Sequence, residues 1–434
     1  MNNHIKKMLR ITDEHLYLTN TEEAKVKGKN SLIIFGIYSP MPSACKSCGS
    51  TVVDNEGKSV VVRNGKKEVT IRLDSYQNMP TVLKLKKQRF HCKNCSHNWT
   101  AQCSIVEKNC HISKFITLKI LELLTEKISM TVISKQCQVS LTTVLRVLKS
   151  VESQLPQQLK PRSFPEVLMV DEFRSHASYE DKMNFICADG KTGELVDVLP
   201  SRKLEKIIPY FNRSSLEERR KVKFLVTDMN AAYFQLTKTV FPTAKLVIDR
   251  FHIVKHLNTA FNDLRVREMK TLVANKKNSE ANKLKSNWKC LLKNQTTISI
   301  SEFKTWRSFP SPKHPLLTES MMIDRLLSFS SNLKEAYDIF HLLMYHFRNK
   351  DDQSFFELLK DLPDSLDRQF RNKIDNLISY EEGIRNALKY NFSNGKIEAK
   401  NTHIKTLKRV SYGFNSFTNM RIRIFLINGL IKIK

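Results

Sequence analysis

The chain has 434 residues, 41% of them apolar, which is enough for real hydrophobic cores and long for a single one. Lys and Arg number 72 against 43 Asp and Glu, leaving +29, a charge that repels itself unless a polyanion such as nucleic acid neutralises it. The sequence argues against a membrane protein, with no apolar run near the ~18 residues of a span and no basic amphipathic anchor.

The first fifteen residues, MNNHIKKMLRITDEH, hold no apolar stretch of leader length, so the expected location is the cytosol. Residues 1–40 mix short apolar runs such as Ser31 to Phe35. Residues 41–103 alternate apolar and polar positions, as in Val82-Leu83-Lys84-Leu85-Lys86, which predicts short strands. Two knuckles lie in this stretch, Cys45-Lys46-Ser47-Cys48 and Cys92-Lys93-Asn94-Cys95. Each offers two thiolates to one side of a tetrahedral ion, so Cys45, Cys48, Cys92 and Cys95 predict a closed, structural Zn²⁺ site. The 43 residues between Cys48 and Cys92 must then fold back on themselves. His91, His97, Cys103 and Cys110 are bystanders to a complete four-sulfur set, and Cys137, Cys187 and Cys290 read as small core residues. Nine cysteines, an odd number, also disfavour a disulfide framework.

Helical spacing follows over 113–150. Ile116, Ile120 and Leu124 share one face; Ser129 caps a second helix carrying Val132 and Ile133; Gln138-Val139-Ser140 is a turn; and a third helix from Leu141 to Ser150 is expected to bury Leu141, Val144, Leu145 and Leu148. Its other face presents Thr142, Thr143, Arg146 and Lys149, which suits a helix-turn-helix recognition helix in a major groove. The turn has Cys137-Gln138 where such motifs often carry Gly, and a plain three-helix packing unit is the bland alternative.

Pro156, Pro161 and Pro165 mark a linker. Beyond it, short apolar runs end at Asp171, Asp228 and Asp249, and residues 184–188 and 195–199 read as a hairpin about the turn 189–193. The layout is α/β. Adjacent parallel strands would set Asp171 and Asp228 at one sheet edge, where with a third acid from a helix they could hold two Mg²⁺ ions for phosphodiester chemistry. Asp249 is read as a possible helix cap before Arg250-Phe251-His252. Residues 252–390 are mostly helical and Lys-rich, and the last forty return to an apolar-periodic helix with Arg421 and Arg423.

Taken in order, these pieces resemble a bacterial insertion-sequence transposase of the DDE class, in the ISL-three family. The double Cys-x-x-Cys ribbon, the helix-turn-helix, Val170-Asp171-Glu172, Thr227-Asp228-Met229, Asp249 to His252, Ser393-Asn394-Gly395 through Glu398 and Asn401, Ile404 to Arg409, and Gly413-Phe414 carry the likeness nearly end to end. The resemblance implies a ribonuclease H-like core with a large helical insertion, catalytic acids Asp171, Asp228 and Glu398, and Mg²⁺-dependent cleavage and joining of DNA.

Glu398 also stands out locally, because Asn394-Gly395 breaks the chain and a helix can start after it, with Asn401, Lys405 and Lys408 on nearby faces. Glu381 and Glu382 are its rivals for the third acid. The expected division is a zinc-ribbon domain over 1–110, a helix-turn-helix over 111–155 and a catalytic domain over 162–434 with a helical insertion at about 255–390. Expected partners are double-stranded DNA, contacted by the recognition face and by Lys405, Lys408 and Arg409, and further copies of the chain. The alternatives are a DNA-binding regulator with a decayed core, and a nuclease that cuts without joining.

Overall fold

The structure, a computed structural model, describes residues 2–26, 28–154, 164–176, 179–310 and 316–433. Pro156 and Pro161 of the expected linker lie outside them. The chain divides into two compact units, Met1–Gln157 with Ile404–Lys434, and Gln158–His403.

In the first unit a short helix α1 (Asn2–Met8) precedes two hairpins, β1 (Leu16–Val26) with β2 (Lys29–Tyr38), and β3 (Val61–Tyr76) with β4 (Met79–Cys92). β2 lies parallel to β4, giving the order β1-β2-β4-β3, and β5 (Asn98–Thr100) pairs antiparallel with β4 near the latter's C-terminal end. The alternating run was legible because Leu83 and Leu85 are fully buried while Lys86 is exposed. The strands are much longer than expected. β3 carries a solvent-facing run from Arg63 to Glu68 that hides the strand from an apolar pattern. Gln77 and Asn78 turn the second hairpin with φ of 45° and 65°. Two successive left-handed residues suit the right-handed twist of the strands they join.

Helices α2 (Lys114–Leu124), α3 (Met130–Gln136) and α4 (Leu141–Ser150) follow. Ser113, Ser129 and Ser140 each cap one of them, accepting from the N–H of Ile116, Val132 and Thr143. Gln138, in the turn before α4, takes φ 52°, the conformation for which Gly is the usual choice. Two expected core positions are corrected, Leu145 being only half-buried. Leu141 is 44% exposed and Val147 is buried instead. The buried stripe of α4 runs Val144, Val147, Leu148 and on to Val151, so Leu141 falls in the first turn, ahead of the packed face.

The second unit is built on β6 (Val167–Arg174), β7 (Met183–Asp189) and β8 (Leu195–Leu199), an antiparallel meander, with β9 (Phe224–Thr227) and β10 (Lys245–Ile248) parallel to β6; the order is β10-β9-β6-β7-β8. Helices α5 (Leu204–Asn212), α6 (Leu216–Arg220) and α7 (Ala231–Thr239) connect the strands, and Phe185, Ile207, Phe211, Tyr233 and Leu236 fill the core between sheet and helices. A helical block follows: α8 (Arg250–Ala274), α9 (Asn278–Ser286), α10 (Trp288–Leu291), α11 (Glu319–Leu327), α12 (Ser331–Arg348), α13 (Asp352–Lys360), α14 (Arg368–Asp375) and α15 (Glu381–Lys389). Phe261 of α8 stacks on Phe340 of α12 at 5.0 Å. α15 returns to the sheet, where Asn386 donates to the Leu246 carbonyl at 2.8 Å. The approach is close enough that a Cβ on Gly383 meets Ile248 at 2.8 Å.

Helix α16 (Gly395–Val410) is continuous, its residues through His403 belonging to the second unit and those from Ile404 to the first. Helix α17 (Phe417–Ile427) packs on α2 and α4. The sequence reading ran the last domain through residue 434; in the structure this terminal segment groups with the ribbon and the three helices. Arg423, fully buried, donates from Nη2 to the carbonyls of Glu126 at 2.8 Å and Ile128 at 3.0 Å, across the turn between α2 and α3.

Candidate active site

Three aspartates align at one edge of the second sheet. β6 and β9 pair in register up to Met169 with Val226, and β9 and β10 up to Thr227 with Ile248. Two residues further on the first register, and one on the second, Asp171, Asp228 and Asp249 share a single row across three neighbouring parallel strands. Such strands lie about 4.8 Å apart, so the row crowds three carboxyl groups at the carboxyl ends of β9 and β10. Asp171 is not the last residue of its strand, as the apolar run suggested. β6 continues to Arg174 against β7, leaving Asp171 where β9 has already ended.

Crowding and burial show in the electrostatics. Burial raises the Asp171 carboxyl to about 6; the Glu172 N–H, 2.7 Å from Oδ1, opposes this and the charge of Asp228 adds to it. Burial likewise raises Asp228, against the attraction of His252. Asn401 of α16 donates from Nδ2 to Oδ2 of Asp171 at 2.7 Å and is itself 5% exposed. The charge of Glu172 also raises both carboxyls, and Arg202 Nη1 donates to both its oxygens, at 2.6 and 2.8 Å.

Glu398 sits in the first turn of α16, after the break at Asn394-Gly395, as the sequence indicated. The acid grouped with it is the unexpected one. One oxygen of Glu398, one of Asp249 and a ring nitrogen of His252 all lie within 4.8 Å of one another. The reading of Asp249 as a helix cap is half right: it occupies the N-cap position of α8, yet its side chain makes no capping bond and accepts instead from the Asn394 N–H at 3.2 Å. Among the described residues, no group this tight unites Asp171, Asp228 and Glu398. The rival Glu381 is engaged elsewhere, bonded to Arg385 at 2.8 Å and paired with Lys360 at 3.1 Å.

In the first unit Cys45, Cys48, Cys92 and Cys95 converge, Cys45 Sγ 3.6 Å from Cys95 Sγ and Cys48 Sγ 3.7 Å from Cys92 Sγ. Four sulfurs around one zinc at ~2.3 Å stand about 3.8 Å apart, so the set fits Zn²⁺. Gly49 and Ser96, each directly after the second cysteine of its knuckle, both take positive φ, 72° and 57°. The Ser50 hydroxyl, 3.1 Å from Cys48 Sγ, helps hold that thiol down to about 6. His97 stacks on Trp99 and His91 meets Asn98, so neither joins the sulfurs.

On α4, Arg146 and Lys149 are exposed cations. The hydroxyls of Thr142 and Thr143 lie 2.7 and 3.0 Å from that of the Ser140 cap, so part of the expected reading surface also serves the helix end. On α16, Lys405 and Arg409 are exposed and Lys408 is half-buried. No helix among the described residues is long and apolar enough to cross a membrane.

Comparison with known proteins bears on both units. A family model described as "Transposase", of the ISL3 DDE group, matches residues 168–424, and one described as "zinc-finger of transposase IS204/IS1001/IS1096/IS1165" matches residues 42–95. A protein named "ATP-dependent protease" from Lactococcus lactis subsp. lactis is 37% identical over 116 residues, 26% of this chain, and the chain spans 36% of that relative's length.

Proposed function

Because the chain belongs to the ISL3 family of DDE transposases, we propose that it binds the ends of an insertion sequence, cleaves DNA strands there and joins the freed ends to target DNA, with Asp171, Asp228 and Glu398 as the catalytic acids. The observation that carries this reading is the row of carboxylates at the carboxyl edge of three parallel strands, faced by the first turn of α16. The strand order, an antiparallel meander flanked by two parallel strands, supports a ribonuclease H-like core.

The donors at this edge are carboxylate oxygens, and burial opposes the charge of Asp171 and Asp228, which fits a hard divalent cation such as Mg²⁺ as counterion. Bound there, the cation supplies Lewis acidity at a phosphodiester and favours ionisation of the attacking hydroxyl. The chain's own residues prepare the place. Asn401 fixes the orientation of Asp171, and Arg202 pairs with Glu172, whose charge otherwise repels the row. Zinc held by the four cysteines is structural and shapes the ribbon.

The first unit acts as the DNA-binding arm. Helices α2 to α4 serve as a helix-turn-helix, with Arg146 and Lys149 toward DNA, and Lys405, Lys408 and Arg409 contact phosphates. The net charge of +29 supports double-stranded DNA as the partner, in an assembly of several copies. An assay on labelled element ends tests the reading: the expected result is cleaved and joined product with Mg²⁺. Binding without cleavage would make the protein a regulator, and cleavage without joining a nuclease.

A further inference from the structure

Asp249 and His252 have no employment in the scheme above, yet they stand at its centre. Asp249 is 2% exposed, an extreme of burial for a carboxylate, and it forgoes the capping bond its position offers. Among the described residues, its side chain accepts a hydrogen bond from the Asn394 backbone. His252 projects from the first turn of α8, and its Nε2 lies 3.9 Å from Asp249 Oδ2 and 3.9 Å from Glu398 Oε1. These separations are too long for hydrogen bonds. Donors about 2.1 Å from one ion lie roughly 3–4 Å from each other, so the same separations suit three ligands of a shared cation.

Two buried amides adjoin the cluster with unfilled capacity. Asn394, 1% exposed, gives its N–H to Asp249 and its carbonyl to the Glu398 N–H, while its side-chain Oδ1 is buried without a partner. Asn401, whose Nδ2 holds Asp171, likewise has a buried Oδ1 with no partner. Buried polar atoms left unpaired are costly, and they gather around this one edge.

We propose that Asp249 and the Nε2 atom of His252 are direct ligands, with Glu398, of a divalent cation, forming a mixed nitrogen–oxygen site that favours Mn²⁺ over Mg²⁺. The inference deepens the reading of this edge as the catalytic centre and rests on it. Imidazole is a poor partner for Mg²⁺, which prefers oxygen and keeps its waters, and a better one for first-row transition ions. Within the cluster the acid beside Glu398 is the third aspartate of the row.

The test uses the full chain, zinc-loaded, titrated with Mn²⁺ and read by electron spin echo envelope modulation. A directly bound imidazole gives a ¹⁴N coupling at saturation, expected in the wild type and absent in His252→Gln. The same substitution should weaken Mn²⁺ binding by about tenfold or more and Mg²⁺ binding by less than about threefold. Asp249→Asn should weaken both ions. No nitrogen coupling in Mn²⁺-saturated wild type, or a coupling that survives in His252→Gln, overturns the assignment, and the wild-type spectrum decides this even where the variant fails to fold. Cleavage of element ends is scored separately. Cleavage with no nitrogen coupling removes His252 from the metal and leaves the transposase chemistry standing. Nitrogen coupling with no cleavage keeps the ligand set and removes the catalytic reading.

Discussion

Asn401 Nδ2 lies 2.7 Å from Oδ2 of Asp171, joining two residues 230 positions apart in the chain. This bond ties the helix that carries Glu398 to the strand that carries the first acid. Replacing Asn401 with Ala should lower strand cleavage about 10–100-fold, the usual effect of losing a residue that orients a metal ligand. Binding of element ends should change less than about twofold. Asn401→Asp should do more harm, because it sets another carboxylate against Asp171. A cleavage rate in Asn401→Ala equal to wild type would show that Asp171 is held by its burial alone.

Removing any of the three proposed acids should separate binding from chemistry. Asp171→Asn, Asp228→Asn and Glu398→Gln are each expected to bind ends normally and to yield no cleaved product with Mg²⁺. Glu381→Gln should cleave at a near-normal rate, since its carboxylate serves Arg385 and Lys360. Gel analysis of labelled ends distinguishes them, and robust cleavage by Glu398→Gln sinks the third assignment.

Zinc removal should unfold the ribbon, because metal binding in such sites is folding free energy. Cys92 is fully buried at the end of the central strand β4. Cys92→Ser is therefore expected to release zinc, read with a colorimetric chelator, and to lower the melting temperature of the first unit. A variant that melts with the wild type and retains no metal would refute a structural role.

His341 makes acid stability predictable. It is 3% exposed, donates from Nε2 to the Leu291 carbonyl at 3.0 Å, and burial pushes its imidazole down to about 4. The folded state therefore stays neutral where the unfolded chain, titrating near 6.5, takes up a proton. Stability from this group is complete above pH 6.5 and is lost as pH falls toward 4, by roughly 3 kcal/mol in all. His341→Gln should be less stable than wild type at pH 7.5, with a difference that shrinks by pH 4.5 in urea titrations. Loss of zinc at low pH affects both proteins and cancels. A gap independent of pH would mean that His341 does not titrate in this window.

The arm should not be cut at residue 155. Arg423 closes the carbonyls of Glu126 and Ile128 from the far end of the chain, and α17 covers α2 and α4. Arg423→Met should cost about 1–3 kcal/mol by leaving those carbonyls unpaired. A fragment of residues 1–155 should bind ends more weakly than the full chain. Within the arm, Arg146→Ala should cost about 1–3 kcal/mol on the specific end if it reaches a base edge. Equal loss on unrelated DNA would reduce it to a phosphate contact.

What could be read in advance followed from local chemistry. Asp171 and Asp228 were visible because each terminates an apolar run, the knuckles because two thiolates at fixed spacing have few other uses, and Glu398 because Asn394-Gly395 announces a helix start. The side-chain bond of Asp249 was hidden, because an aspartate before a helix looks like a cap from sequence, and its partner is a backbone donor 145 residues away. Arg202, which neutralises Glu172, gave no signal, being one arginine among many, 30 residues away. The docking of α17 was equally hidden, since an apolar helix face does not say what covers it. Leu141 and Val147 exchanged roles because a first-turn residue can match the period and still miss the packing.

The β3–β4 hairpin works as a ruler folded at Gln77 and Asn78. Val61 pairs with Cys92 at the open end of the hairpin, and the first knuckle lies just before β3. Lengthening both strands by the same number of residues would move the fold point outward and leave the sulfurs where they are. A residue gained in one strand alone must be taken up by a bulge, as β3 does against β4 between Arg63 and Lys66 and between Leu73 and Tyr76, or every later side chain turns to the opposite face. Among related ribbons, insertions between the knuckles should therefore gather about the hairpin tip or at such bulges.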